Sequence, residues 1–364
     1  MTAPVAGSAA AYRRLLPDGV DRRPAWLTVR LPTGDGYHRL KGLMRDLSLN
    51  TVCEEARCPN IGECWGQGTA TFMILGDVCT RACAFCAVTS GRRGGDIDAG
   101  EPARVGEAVA RMGLRHAVVT SVDRDDLPDL GAGVFAATIR EIRRQAPGCT
   151  VEVLTPDFNG SEESLATVMA EAPEIFNHNL ETVSRLYARV RPKAGYRQSL
   201  ELLRAAHRMQ PAARIKSGLM LGLGESADEV RELLRDMRTH DVEIVTIGQY
   251  LRPSAKHHPI VRFVPPEEFA ELGGFGRELG FSHVESGPLV RSSYHAAEQA
   301  APLVTDRRGT ESVPARAGRG HEAAVHGAGD AENHEHEPDD AEQHVSAGRA
   351  LTHDGPAPPR WPRL

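Results

Sequence analysis

Three cysteines, Cys79, Cys83 and Cys86, stand within eight residues of the stretch GDVCTRACAFCAV (76–88). The spacing C-x3-C-x2-C puts three thiolates on one tight loop, and cysteine thiolates are the usual ligands of a four-iron cluster. A fully ligated zinc or cluster site takes four ligands, and the residues that follow, AVTSGRRGG, supply no fourth. Three ligands on four irons leave one iron open, the feature that separates a reactive metal site from a closed structural one. A zinc knuckle is the plainer alternative, but it lacks its fourth ligand nearby. A second triad, Cys53, Cys58 and Cys64 in TVCEEARCPNIGECW, repeats the pattern as C-x4-C-x5-C, and a zinc-binding knuckle is again the alternative. The seventh cysteine, Cys149 in APGC, belongs to no motif and reads as an idle thiol.

Such loops need a scaffold, and the chain is long enough to bury a large core at 364 residues and 41% hydrophobic content. Six apolar, β-branched runs recur at 71–75, 116–121, 150–155, 174–179, 215–221 and 243–251, with helical patterns such as VGEAVARMGL and FAATIREIRRQ between them. Strands separated by helices predict βαβ crossovers and a parallel sheet, wound on both faces or curled into a barrel. Polar or reactive residues follow the runs: Cys79, Asp123, Asp157, Asn179, Glu225 and Arg252. The C-terminal ends of the strands are where parallel α/β folds carry their sites. The turn GLGE (222–225) lets backbone approach a ligand closely, while Asn179 and Glu181 have a helix cap as their plain reading.

The net charge of −6 gives no sign of a nucleic-acid grip, and most of it comes from a tail rich in Asp, Glu and His beyond Thr305. That tail, 305–364, has too little apolar surface to offset its ordering entropy and is expected to be disordered. No apolar run reaches membrane-spanning length. The N-terminus is too short in apolar residues for a secretory leader, so a solvated arm is expected. Six clustered cysteines in so long a chain form a ligand set, not a disulfide framework, and thiols kept for metal imply a reducing, cytoplasmic compartment.

With Phe85 just before its last cysteine, the first triad resembles the radical S-adenosylmethionine superfamily. The two triads together resemble the lipoyl synthase family within it. RDDLPD (124–129), PDFNG (156–160), HNLET (178–182), GLMLGLGE (218–225), QYLRPS (249–254) and GPLVRSSYHA (287–296) agree, so the resemblance covers roughly 40–300. It implies an α/β fold: a partial (βα)6 TIM-like barrel at 71–285, between an arm (1–45), an auxiliary-cluster segment (46–70) and a C-terminal segment (286–304). It further implies two [4Fe–4S] clusters, one on Cys79, Cys83 and Cys86, the other on Cys53, Cys58, Cys64 and the serine of R-S-S-Y, Ser293. Taken alone, RSSY would be a surface turn. S-adenosylmethionine would lie against Phe85, Asn179, Glu181, Gly222, Gly224 and Glu225.

The implied reaction is sulfur insertion at C6 and C8 of a protein-bound octanoyl-lysine. The implied partners are octanoylated lipoyl carrier domains (dehydrogenase E2 subunits, glycine cleavage H protein), a flavodoxin or ferredoxin donor and an iron–sulfur carrier protein, with no nucleic acid or membrane. Another two-cluster sulfur-inserting enzyme, such as a methylthiotransferase, or an iron–sulfur electron carrier are the competing readings. Arg291 stands as a phosphate or carboxylate clamp or a surface pair. Two departures from the family are visible. Leu130 occupies the first of two positions that the family fills with glycine, beside the cofactor, and the tail exceeds the usual chain.

Overall fold

Every one of the six runs becomes a strand, because each carries branched apolar residues that pack under a following amphipathic helix. The computed structural model describes residues 15–18, 20, 22–28, 35–55, 58, 60–61 and 71–300. Cys64, residues 1–14 of the arm and the tail read as disordered lie outside them. In chain order the strands are β1 (Asn50–Thr51), β2 (Thr71–Ile74), β3 (Val78–Cys79), β4 (Thr89–Ser90), β5 (His116–Ser121), β6 (Thr150–Leu154), β7 (Ile175–Asn177), β8 (Arg214–Leu221), β9 (Ile244–Gln249) and β10 (His283–Ser286). The main sheet runs β1-β2-β5-β6-β7-β8-β9-β10, parallel throughout except for β1, which pairs antiparallel with β2. The result is a partial TIM-like barrel of α/β class. Among the described residues the parallel strands of this sheet number seven, one more than the sequence runs. HVES, the last of them, holds a single aliphatic residue and is half-buried along its length, so it carries no strand signal of its own.

Helices cover the outside. Glu101–Met112 buries Val105, Ala108 and Val109, and Ala227–Thr239 buries Val230, Leu233, Leu234 and Met237; this is the i, i+3, i+4, i+7 stripe of an amphipathic helix. The second starts at a capping box in which Ser226 and Glu229 satisfy each other's amides. Among the described residues no helix is long and apolar enough to cross a membrane.

The opposite face of the sheet is polar. Register places Glu152, Asn177 and Lys216 on one side of β6, β7 and β8, where all three are fully buried. Lys216 Nζ lies 2.9 Å from Glu152 Oε1, Asn177 Nδ2 donates to the same oxygen at 2.9 Å, and His116 Nε2 stands 3.6 Å from Oε2. Burial by itself would push the Glu152 carboxyl up; Lys216, His116 and Asn177 more than reverse this and bring it to about 2. A buried charge left without its partner is costly, whereas an apolar replacement of the whole pair is not. Glu152→Gln or Lys216→Met alone should therefore lose about 3–5 kcal/mol of stability in denaturant unfolding. The Glu152→Leu/Lys216→Met double variant should lose less than either; equal or larger loss would show that the pair is not energetically linked.

Leu130 resolves its departure in backbone terms. It sits at φ 57°, in the left-handed region that costs a side-chain-bearing residue about 1–2 kcal/mol. The turn is nonetheless kept: Asp129 accepts the amides of Gly131 and Gly133 at 3.0 and 2.9 Å. Of the two positions, Gly131 is the one that must stay bare, because a Cβ there would lie 2.4 Å from Leu75 Cδ1. Leu130 instead lays its side chain against the core. Comparing Leu130→Ala with Leu130→Gly removes the packing difference and leaves the backbone effect. The glycine variant should be the more stable by about 1 kcal/mol, reversing the usual order of these residues. A melting temperature lower for glycine than for alanine would contradict the strain.

Candidate cluster and cofactor site

The first triad lies where the sequence puts it, on the loop that leaves β2 at the C-terminal mouth of the barrel. β3 and β4 pair across the base of this loop, and Gly91 N donates to Cys79 O at 2.8 Å. Two further ties hold its crown: Ala84 N donates to Val190 O at 2.9 Å and accepts at its carbonyl from His258 N at 2.7 Å. His257 Nε2 hydrogen-bonds the Cys86 carbonyl at 2.8 Å. Cys79 Sγ accepts the amides of Arg81 and Asp123 at 3.4 and 3.3 Å. Phe85 packs half-buried against the core.

Burial pushes Cys83 up to about 12 and Cys86 up to about 11, and Cys79 rises for the same reason. Cys83 is raised further by Cys86, and Cys86 by Cys79, so each thiol feels a neighbour. Three half-buried thiols that resist ionisation suit a strongly positive guest, since metal ligation deprotonates a thiol outright. Among the described residues no group of three or more His, Cys, Asp or Glu side chains closes around a single metal ion. A four-iron cluster spreads its ligands over separate corners and asks for no such shell.

Arg81, two residues after Cys79, is the connection that the sequence reading missed. It is buried, and it forks onto Asp125 at 3.0 and 3.1 Å. The same guanidinium reaches Asp157 at 2.7 Å and Asn159 at 2.6 Å, with Asp123 at 3.4 Å. Loops after β2, β5 and β6 are thereby joined through one side chain. Asp123 is pushed up to about 6 by burial, against the pull of Arg81.

Across the mouth, Glu181 takes a left-handed backbone at φ 67°, held by Glu181 N to Gly218 O and Met220 N to Glu181 O, each 2.9 Å. Its carboxyl is raised by burial, lowered by Arg191 and by a hydrogen bond from Asn179, and its charge is felt at Cys83 and Cys86. Arg191, a second residue missed by sequence, is buried, caps the carbonyl of Asn179 at 2.8 Å and faces Cys83. The GLGE turn lies beside the cysteine loop, because His258 ties Ala84 to Leu223 O at 2.9 Å. Gly222 is at φ 95° and its missing Cβ leaves room for the Gln249 amide, 2.3 Å from where it would be. Glu225 turns back on its own turn, accepting the amides of Gly222 and Leu223 at 2.6 and 2.9 Å. Gly224, at φ 110°, completes that turn.

The second set converges from both ends of the chain. Cys53 is buried and Cys58 N donates to its carbonyl at 3.0 Å. Asn60 Nδ2 reaches Leu289 O at 2.7 Å, and the Arg291 guanidinium acts on Cys58. Ser293 Oγ accepts from Thr71 Oγ1 at 2.8 Å. Cys64, the third cysteine of this set, is outside the described residues. Cys149 is at the N-terminal end of β6, away from the mouth, where burial pushes it up to about 12.

Comparison with known proteins matches this arrangement. The Radical SAM superfamily model covers residues 73–237, and the model for the N-terminal domain of lipoyl synthase of the Radical SAM family covers 13–58. A lipoyl synthase of Rubrobacter xylanophilus is 62% identical over 76% of this chain and 86% of its own. Those of Thermus thermophilus and Methylococcus capsulatus are 57% and 58% identical, each over 77% of this chain and 87% of theirs. A loop of three thiols at a barrel mouth, a second cysteine segment and relatives at such identity lead to one conclusion: the chain belongs to the lipoyl synthase family of radical S-adenosylmethionine enzymes.

Proposed function

We propose that Cys79, Cys83 and Cys86 hold the [4Fe–4S] cluster of this family, and that Cys53, Cys58, Cys64 and Ser293 hold a second. The enzyme then inserts two sulfur atoms at C6 and C8 of an octanoyl chain amide-linked to a lysine of a lipoyl carrier domain, with a flavodoxin or ferredoxin as donor. One observation supports the reading: the open triad and Ser293 flank one strand, the triad loop following the last residue of β2 and Ser293 bonding its first residue, Thr71. When bound, cluster and S-adenosylmethionine supply a primary carbon radical, which can break C–H bonds that no acid, base or nucleophile at this site could reach.

The chain's own residues do the rest. Arg81 and the ties at Ala84 and Cys86 fix the three thiols relative to the barrel. Glu181, half-buried and held by a strained backbone near Cys83 and Cys86, would accept hydrogen bonds from the amino or ribose groups of S-adenosylmethionine. Such strain persists at functional positions because surrounding structure over-determines it. Gly222 and Gly224 let the backbone of their turn come close, while Glu225 holds the turn's shape. Thr71 donates to Ser293 Oγ and so favours the deprotonated, ligating oxygen. Thiols reserved for clusters also place the enzyme in a reducing compartment such as the cytoplasm.

Mass spectrometry of an octanoyl-lysine peptide after incubation with reduced, reconstituted protein and S-adenosylmethionine should find two sulfur atoms added. An unmodified peptide together with released 5′-deoxyadenosine would point to a different radical enzyme, and no 5′-deoxyadenosine at all to an electron carrier. Replacing Cys79, Cys83 and Cys86 by Ala should lower iron from about eight to about four per chain and abolish S-adenosylmethionine cleavage; surviving cleavage would refute the assignment of that triad.

Arg81 gives a separate test that needs no cluster. Arg81→Ala strands Asp125 and Asp157, and should destabilise the iron-free protein by about 3–5 kcal/mol. Arg81→Lys keeps the charge but loses the fork, so an intermediate loss is expected. Melting curves identical to the parent protein would show that the joint is not structural.

A further inference from the structure

We propose that Ser292 is a positioning residue: its hydroxyl locks the C-terminal segment into the barrel mouth and so sets where Ser293 stands. The proposal rests on the reading of Ser293 as a cluster ligand, and deepens it.

The segment is threaded across the mouth. Gly287 N donates to Ile247 O at 3.0 Å, and Asn60 holds Leu289 from the other side. Val290 passes so close to β9 that a Cβ on Gly248 would lie 2.1 Å from its carbonyl oxygen. Between Val290 and Ser293, Arg291 lies with Nη1 against Gly248 of β9, and Ser292 turns to the ends of β7. Asn177 Nδ2 donates to its hydroxyl at 3.1 Å, and the hydroxyl donates to Asn179 Oδ1 at 2.9 Å.

The direction of these bonds is fixed from the Glu152 end. A carboxylate accepts, so Asn177 presents one amide N–H to Glu152. Its second N–H is left for the serine lone pair, and the serine proton goes to Asn179 Oδ1. A continuous chain results, Lys216–Glu152–Asn177–Ser292–Asn179, from the buried ion pair through the neighbour of Ser293 to the end of β7. Neither a methyl group nor a water displaced to one side could take both roles of that hydroxyl. Asn179 serves the lock through its side-chain oxygen.

The test compares Ser292→Ala, Ser292→Thr and Ser293→Ala with the parent protein. Amide hydrogen exchange across 287–296 is read on the iron-free proteins. Iron per chain, the electron paramagnetic resonance signals of the reduced clusters and the rate of iron loss to a chelator are read after reconstitution. Ser292→Ala should raise exchange in 289–294 about tenfold, as expected on losing bonds in a buried network. It should also speed the loss of about four irons several-fold, leaving the signal of the cluster on Cys79, Cys83 and Cys86 in place. Ser292→Thr, which keeps the hydroxyl, should restore protection. Unchanged exchange and unchanged iron loss in Ser292→Ala would overturn the proposal. Loosened exchange in Ser292→Ala, with both clusters retained by Ser293→Ala, would uphold the lock and overturn the ligand reading of Ser293.

Discussion

One guanidinium joins the loop that carries the chemistry to the barrel that carries the loop. Arg81 lies between the first and second cysteines of the triad and ends on carboxylates from two other strand ends, Asp125 after β5 and Asp157 after β6. A lysine could neutralise the same charges, but a planar fork fixes direction as well as distance. Because Asp123 N and Arg81 N both point at Cys79 Sγ, the orientation of that sulfur is inherited from the joint. Loops at a barrel mouth are ordinarily the mobile part of the fold. Here charge-assisted bonds to rigid strand ends hold the thiols in place before anything binds.

The same burial that makes these bonds strong makes the thiols reluctant. A half-buried Cys83 raised to about 12 is a poor nucleophile and a poor disulfide partner at neutral pH. Reactivity is thereby withheld until a positive guest arrives, while Arg191 beside Cys83 partly offsets the penalty. Glu181 and Asp123 add negative charge that is felt at Cys86. The site is thus balanced to hold a cationic core and to tolerate the charge of an amino-acid-bearing cofactor.

Strands and triads were legible in the sequence because each has a local signal: branched apolar runs, and cysteines at short spacing. β10 was not, since HVES pairs by position beside β9 and not by its own composition. Arg81 and Arg191 were hidden for a related reason. An arginine in a loop reads as solvated surface until the fold brings carboxylates from 44 and 76 residues away against it. Leu130 was visible as a departure, but only the backbone shows that the turn survives it, through Asp129 and the bare Gly131. Glu225 had the opposite fate: placed beside a glycine turn by sequence, it spends its oxygens on that turn's own amides.

The two cysteine sets differ in how the chain must close to make them. The first needs eight consecutive residues and a joint to neighbouring loops. The second needs segments 229 residues apart to meet, Asn60 with Leu289, and 222 apart, Thr71 with Ser293. Closing so long a loop carries an entropy cost that only the finished barrel between the two ends can offset. The anchors of the C-terminal segment are strand residues, Thr71 of β2 and Asn177 of β7, so that segment is placed only once those strands are in the sheet.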